Sequence, residues 1–198
     1  MNRMRVIVSA TIAFFAATTL AVAQDGGGAT TRLRGIDEVP ALSTPGGGRF
    51  HADLGGGEIA FELSYFHLKG NVTQAHLHMA QRGVNGGIVV FLCSNLGNGP
   101  AGTPACPADG TAAEPAVVSG VRTADDVVGP AQPPGQGIAA GEMGEVLRAL
   151  RAGVVYVNVH TDLFPGGEIR GQLKFVPGDG EGAAELVMDE GWHDGHEH

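Results

Sequence analysis

Apolar and polar residues alternate with a period of two over several short stretches, the pattern of half-buried strands rather than helices. In Glu58–Phe66, the residues Ile59, Phe61, Leu63 and Tyr65 fall on one face. Residues 49–54 alternate less cleanly after a Gly46-Gly47-Gly48 turn, and 32–35 is predicted to open the domain as its first strand. Val72–Met79 reads as a further strand and 86–92 as a continuous apolar, buried one. The most β-rich run is 154–160, followed by a Pro165-Gly166-Gly167 turn and a last strand over 168–175. One segment breaks the rule. Across 142–151, Met143, Val146, Leu147 and Leu150 recur at helical spacing, and Gly153 stands where a helix C-terminal cap belongs. Between 94 and 137 periodicity fails, Gly, Pro and Ala dominate, and only 116–118 reads as a short strand, so a long loop is expected there.

Thirty-three glycines and eleven prolines cut the 198 residues into short pieces. With the strand pattern they predict an all-β fold, an antiparallel Greek-key-like sandwich or barrel with one short helix and a long Gly/Pro-rich loop. The first residues have a different character. Arg3 and Arg5 precede an apolar run over 6–22 that ends in Ala21-Val22-Ala23, which is the layout of a signal peptide cut after Ala23. The run is short for a bilayer span, so a secreted or periplasmic chain with no span after cleavage is expected. The expected organisation is a signal peptide over 1–23, a linker over 24–30, a β domain over 31–176 and an acidic, His-rich tail over 177–198.

Charge narrows the partners. Loss of the signal peptide leaves ten basic against twenty-one acidic residues, so the formal charge moves from −9 to −11. That argues against nucleic acid or an anionic membrane, and a small anion would need a local cation to approach. The only cysteines, Cys93 and Cys106, read in an exported chain as a disulfide. The alternative is a pair of thiolate metal ligands, although their spacing is wide and no histidine lies between them.

Histidine supplies the candidate chemistry. His76 and His78 stand two apart on a predicted strand, so both imidazoles project from one face while Leu77 points the other way. A rigid pair of neutral imidazoles is half of a copper or zinc site. His160 ends the 154–160 strand on the face of Tyr156 and Asn158, and Arg170 follows beyond the turn. His51 and His67 are expected to be structural or exposed, and Trp192-His193-Asp194-Gly195-His196-Glu197-His198 is a loose divalent-metal scavenger at most. There is no phosphate loop followed by Lys-Ser/Thr, no nucleophile elbow and no informative carboxylate pair.

Two resemblances attach to these residues. Leu33-Arg34-Gly35 through Glu38-Val39-Pro40, Ala75-His76-Leu77-His78, Tyr156-Val157-Asn158-Val159-His160-Thr161 and Pro165-Gly166-Gly167-Glu168-Ile169-Arg170-Gly171 together resemble the CHRD domain. The resemblance covers about 31–175 and implies an extracellular β-domain. The order His76, His78, His160, Arg170 is also similar to that of copper–zinc superoxide dismutases. That second resemblance implies copper held by the three histidines, with Arg170 as the catalytic cation beside the open site. No histidine occurs in 79–159, so the bridging histidine and zinc site of those enzymes have no counterpart, and a copper-only centre is expected. The competing expectation is a non-catalytic binding or structural module. In it Asn158, His160, Thr161, Glu168 and Arg170 form a hydrogen-bonded corner.

Overall fold

A computed structural model of the chain describes residues 26–129 and 135–178. The expected signal peptide and nearly all of the expected tail lie outside the described residues. Nine strands join in one sheet: β1 (Gly27–Arg34), β2 (Gly47–Gly55), β3 (Glu58–Phe66), β4 (Val72–Met79), β5 (Gly87–Ser94), β6 (Ala116–Arg122), β7 (Val155–Thr161), β8 (Ile169–Gln172) and β9 (Lys174–Pro177). One α-helix among the described residues, α1 (Met143–Arg151), stands between β6 and β7. The strands pair antiparallel in the order β5-β4-β7-β8-β1-β2-β3-β6, and β9 pairs with β1.

The sheet curls into a nearly closed barrel. Its outermost strands, β5 and β6, are joined by a side chain rather than by a ladder. Arg122 of β6 donates from Nε to the Phe91 carbonyl and from Nη2 to the Leu92 carbonyl, each at 2.9 Å. The free edge of β5 is thus met by guanidinium donors, which protects it from pairing with another chain. Of the two expected architectures, one continuous barrel-like sheet replaces the sandwich.

Alternation sets the core. Leu33, Phe50, Phe61, Leu63, Leu77 and Val157 point inward, joined by Val146, Leu147 and Leu150 of α1. The helix ends as its sequence predicts, with Ala152 at the C-cap and Gly153 at φ +70°. Cys93 and Cys106 are both buried and form a disulfide across a separation of 13 residues. On the chain-entropy model that bridge stabilises the fold by about 3 kcal/mol.

Three elements differ from the sequence pattern. β1 begins at Gly27, inside the stretch read as a linker, because glycines without side-chain signal pair on both sides: Gly27 with Leu54 and with Pro177. The last strand divides in two, since β8 pairs with β7 and, at Arg170, with β1, whereas β9 pairs with β1 alone, Lys174 lying opposite Thr30. Its second half, through Pro177, takes in the first residue of the expected tail. β6 extends to Arg122 within the expected loop. Its inward positions after Val118 are Gly120, under the Phe61 ring, and Arg122, whose guanidinium carbon lies 5.2 Å from that ring's centroid. A strand that buries Gly and Arg leaves no apolar alternation to read.

Candidate metal centre

β4 and β7 are neighbours. In their register His76 lies opposite Asn158, His78 opposite Tyr156, and Gln74 opposite His160. β8 continues the same face with Arg170 opposite Asn158 and Gln172 opposite Tyr156. The intervening residues Ala75, Leu77, Val157, Val159 and Ile169 fill the core, so this second face of the three strands is a polar row. Segments between strands cover it. His76, His78, Asn158, His160, Arg170 and Gln172 are all buried.

Each covering segment contributes one contact. The Gly86 carbonyl lies 3.0 Å from Nδ1 of His78, and the Pro165 carbonyl 2.9 Å from Nδ1 of His160. A carbonyl only accepts, so both Nδ1 atoms carry the proton and both Nε2 atoms present a lone pair. This is how ligating histidines are commonly oriented. His76 Nδ1 lies 3.1 Å from His160 Nε2, while Nε2 of His76 and Nε2 of His78 are buried without a hydrogen-bond partner among the described residues.

The three rings form one cluster. Their centroids lie 5.4 Å apart for His76–His78, 4.9 Å for His76–His160 and 5.8 Å for His78–His160. One nitrogen from each falls within a set whose members are all within 4.8 Å of one another. Two ligands on a tetrahedral shell of radius about 2 Å are separated by about 3.3 Å, so the most distant pair would need to close by up to about 1.5 Å around an ion. Among the described residues this is the one group of three such side chains within that range, as expected for a single-metal site.

Electrostatics prepare the donors. Burial, reinforced by the mutual repulsion of the other two imidazolium forms, pushes His76 down to about 2. Burial and His160 push His78 down to about 3. Burial also lowers His160, opposed by its bond to Pro165. All three are neutral at ordinary pH, which is the ligand form. The donor set therefore fits a borderline metal ion such as copper or zinc.

Arg170 is placed on the same face but is engaged elsewhere. Its guanidinium carbon lies 3.4 Å from the centroid of the Tyr156 ring, and its nitrogens donate to Asn85 Oδ1 at 3.0 Å and to the Val84 carbonyl at 2.7 Å. The Tyr156 ring in turn stacks on His78 at 4.8 Å with an interplanar angle of 6°. A cation, an aromatic ring and a candidate ligand thus succeed one another. His51 and His67 are exposed and stand outside the cluster.

Two acidic residues complete the picture. Glu168 is fully buried and accepts from Thr44 Oγ1 (2.7 Å), Thr161 Oγ1 (2.9 Å) and the amides of Lys69 (2.6 Å) and Gly70 (3.2 Å). Of the five residues expected to form a structural corner only Thr161 and Glu168 bond to each other, and the other partners of Glu168 lie far away in sequence. Asn158, His160 and Arg170 are absent from this corner and bond elsewhere. Glu38 accepts from Asn158 Nδ2 at 2.8 Å. Burial raises its pKa to about 7, against the opposing pull of Arg170. Glu38 comes from a Pro-containing loop, and the Gly86 and Pro165 carbonyls are backbone groups. None of the three carries a periodic signal, and only the Glu38-Val39-Pro40 run within the motif pointed to the first.

The comparisons with known proteins agree with this frame. The CHRD domain model matches residues 29–173, which is most of the chain, so the chain belongs to the CHRD family. No curated protein and no solved structure matches it. No helix among the described residues is long and apolar enough to cross a membrane.

Proposed function

We propose that this CHRD domain works outside the cytoplasm as a metal-binding module, taking one copper ion through His76, His78 and His160. One observation carries the reading. Two buried imidazole nitrogens without partners among the described residues, on His76 and His78, belong to a cluster completed by His160, whose tautomer is fixed by a backbone carbonyl. A purely structural polar cluster would satisfy those atoms internally, whereas lone pairs awaiting an ion account for them. Three imidazoles favour copper, and zinc is the second candidate. The disulfide and the signal-like N-terminus support the location.

Bound copper would supply one-electron redox chemistry, which is what a dismutase-like activity toward superoxide requires. The chain's own part would be to keep three neutral donors in place and to keep bulk water from the buried face. Arg170 would hold a positive charge one aromatic ring away from His78, on the side where a small anion would be drawn in.

The test is copper(II) titration followed by EPR on a chain in which His193, His196 and His198 are alanine, so that only the centre reports. One stoichiometric, well-defined signal that His76→Ala removes is the expected result. Absence of stoichiometric binding would leave the triad a structural element and the domain a non-catalytic module. Superoxide consumption by the loaded chain, lost in the same variant, would establish the redox step.

A further inference from the structure

The acidic character of the chain is unevenly distributed. Residues 26–178 carry ten basic and thirteen acidic side chains, whereas 179–198 carry seven acidic and no basic ones. Within the domain the cations are concentrated in turn. Arg32, Arg34, Arg49, Arg82 and Lys174, half of the ten, line a single cleft of about 610 Å³ on the outside of the barrel. Only Asp37 and Glu62 oppose them there. Asp37 is shared by Arg34 at 2.8 Å and Arg82 at 3.9 Å. Among the described residues Arg32, Arg49 and Lys174 have no ion pair.

This clustering works against the fold. Arg32 of β1 stands directly opposite Arg49 of β2, and like charges facing across a ladder destabilise it. A chain so rich in acids has retained an uncompensated cationic row, which points to an anionic occupant.

The position of the chain beyond the domain indicates which one. β9 runs beside β1, and the Gly178 amide donates to the Gly26 carbonyl at 3.2 Å, so the chain leaves the barrel at the start of β1. A second groove, lined among others by Thr30, His51, Pro177 and Gly178 and carrying one carboxylate, Asp53, begins there. It shares Thr30 and His51 with the cationic cleft. A track therefore leads from the exit point to the arginines. β1 spans about 26 Å, and the twenty residues that follow Gly178 reach about 66 Å when extended, so the length suffices with slack.

We propose that residues 179–198 dock through their carboxylates on the cationic cleft of Arg32, Arg34, Arg49, Arg82 and Lys174 in the same chain. The contact is intramolecular, and a tether of this length gives an effective concentration on the order of 1 mM. A pairing of only about 0.1 mM strength is then about nine-tenths occupied. The docked segment runs along β1 toward Arg34, whose Cα partner in β8 is Arg170. The cleft also reaches Arg82, in the segment whose Gly86 carbonyl orients His78. The docking stands independently of whether the triad binds a metal.

Trp192 is the only tryptophan in the chain and lies in the docking segment, so the intact protein carries its own reporter. Its anisotropy and acrylamide quenching are to be read in chelator at low salt, in the unmodified chain and in the Arg32→Glu/Arg49→Glu variant. The expected result is a restrained, protected Trp192 that takes on the values of a free 179–198 peptide in the variant, with the melting temperature retained. Salt at about 1 M, where the Debye length is about 3 Å, should produce the same loss without any substitution. Values equal to those of the free peptide in the unmodified chain at low salt would overturn the proposal. Dextran sulfate tests the other occupant. A chain ending at Gly178 should bind it more tightly than the intact chain does, and equal affinities would show that the cleft is vacant and overturn the docking.

Discussion

Glu38→Gln isolates one buried titration beside the candidate centre. The carboxyl titrates at about 7 in the folded chain, raised mainly by burial, and near 4.3 when unfolded. Its folded value is the higher one. The stability it contributes is therefore fully present below about pH 4.3, declines as the unfolded chain ionises, and is lost once pH passes about 7. The difference of about 2.7 units corresponds to about 3.7 kcal/mol as an upper bound, and half of that, about 2 kcal/mol, is a sound expectation for a group coupled to Arg170. Glutamine keeps an oxygen for Asn158 Nδ2 and carries no charge. The variant should match the parent at pH 4.5 and exceed it by about 2 kcal/mol at pH 8.5. For a domain of this size that is about 4–8 °C in melting temperature. Thermal unfolding of the metal-free proteins in matched buffers measures it. Parallel stability curves across this pH range would refute the assignment of a buried, proton-holding carboxyl. A gain confined to acid would reverse its sign and refute it equally.

Glu168→Gln should destabilise by about 2–3 kcal/mol with or without metal, because the new amide group, in place of either oxygen, meets a backbone N–H of Lys69 or Gly70 as a donor–donor contact. A loss below about 1 kcal/mol in denaturant titration would contradict that corner. Metal affinity, read by competition titration, should change little from pH 7.5 to 5.5, since burial holds His76 and His78 at about 2 and 3. Exposed imidazoles titrating near 6.5 would each lose about tenfold over that interval, and such a loss would show that the centre is open to water. Gly167→Ala places a methyl group within 2.7 Å of Glu38 Oε1 and closer still to Asn158, at φ +127°. It should cost about 2 kcal/mol and weaken metal binding, both measurable by calorimetry.

What could be read from the sequence follows from where the information is stored. β3 and β4 have the predicted limits because their alternation or apolar content is continuous and the bounding turns are marked by Gly. The triad was legible for the same reason, since the i, i+2 rule fixes which residues of a strand share a face, and His160 belongs to an unambiguous strand. The division of β8 from β9 was not legible. It reflects the loss of β7 as a neighbour while β1 is kept, and the loss of a neighbour leaves the side-chain period intact. Nor were the Gly86 and Pro165 carbonyls that fix the tautomers, because every residue has a carbonyl. The mutual pairing of β4 with β7 brought His160 to His76, a contact spanning 84 positions that no local pattern encodes.

The choice between a structural and a metal-binding role turns on the orphaned atoms of the buried face. Side-chain atoms of His76, His78, Asn158 and Gln172 lack a partner, and all four residues lie on the row formed by β4, β7 and β8. A buried polar atom without a partner costs about 1–3 kcal/mol, so four of them would consume much of a stability of about 5–15 kcal/mol. Apolar residues of similar size would serve a scaffold better, as Leu77 and Val157 do one position away on the opposite face. The corner around Glu168 shows how the same fold satisfies a buried charge when structure is the purpose, with a donor for each demand. The contrast between that saturated corner and the unsaturated imidazoles of His76 and His78 on the neighbouring strand β4 supports the proposed division, with a structural role for Thr161–Glu168 and a ligand role for the histidines.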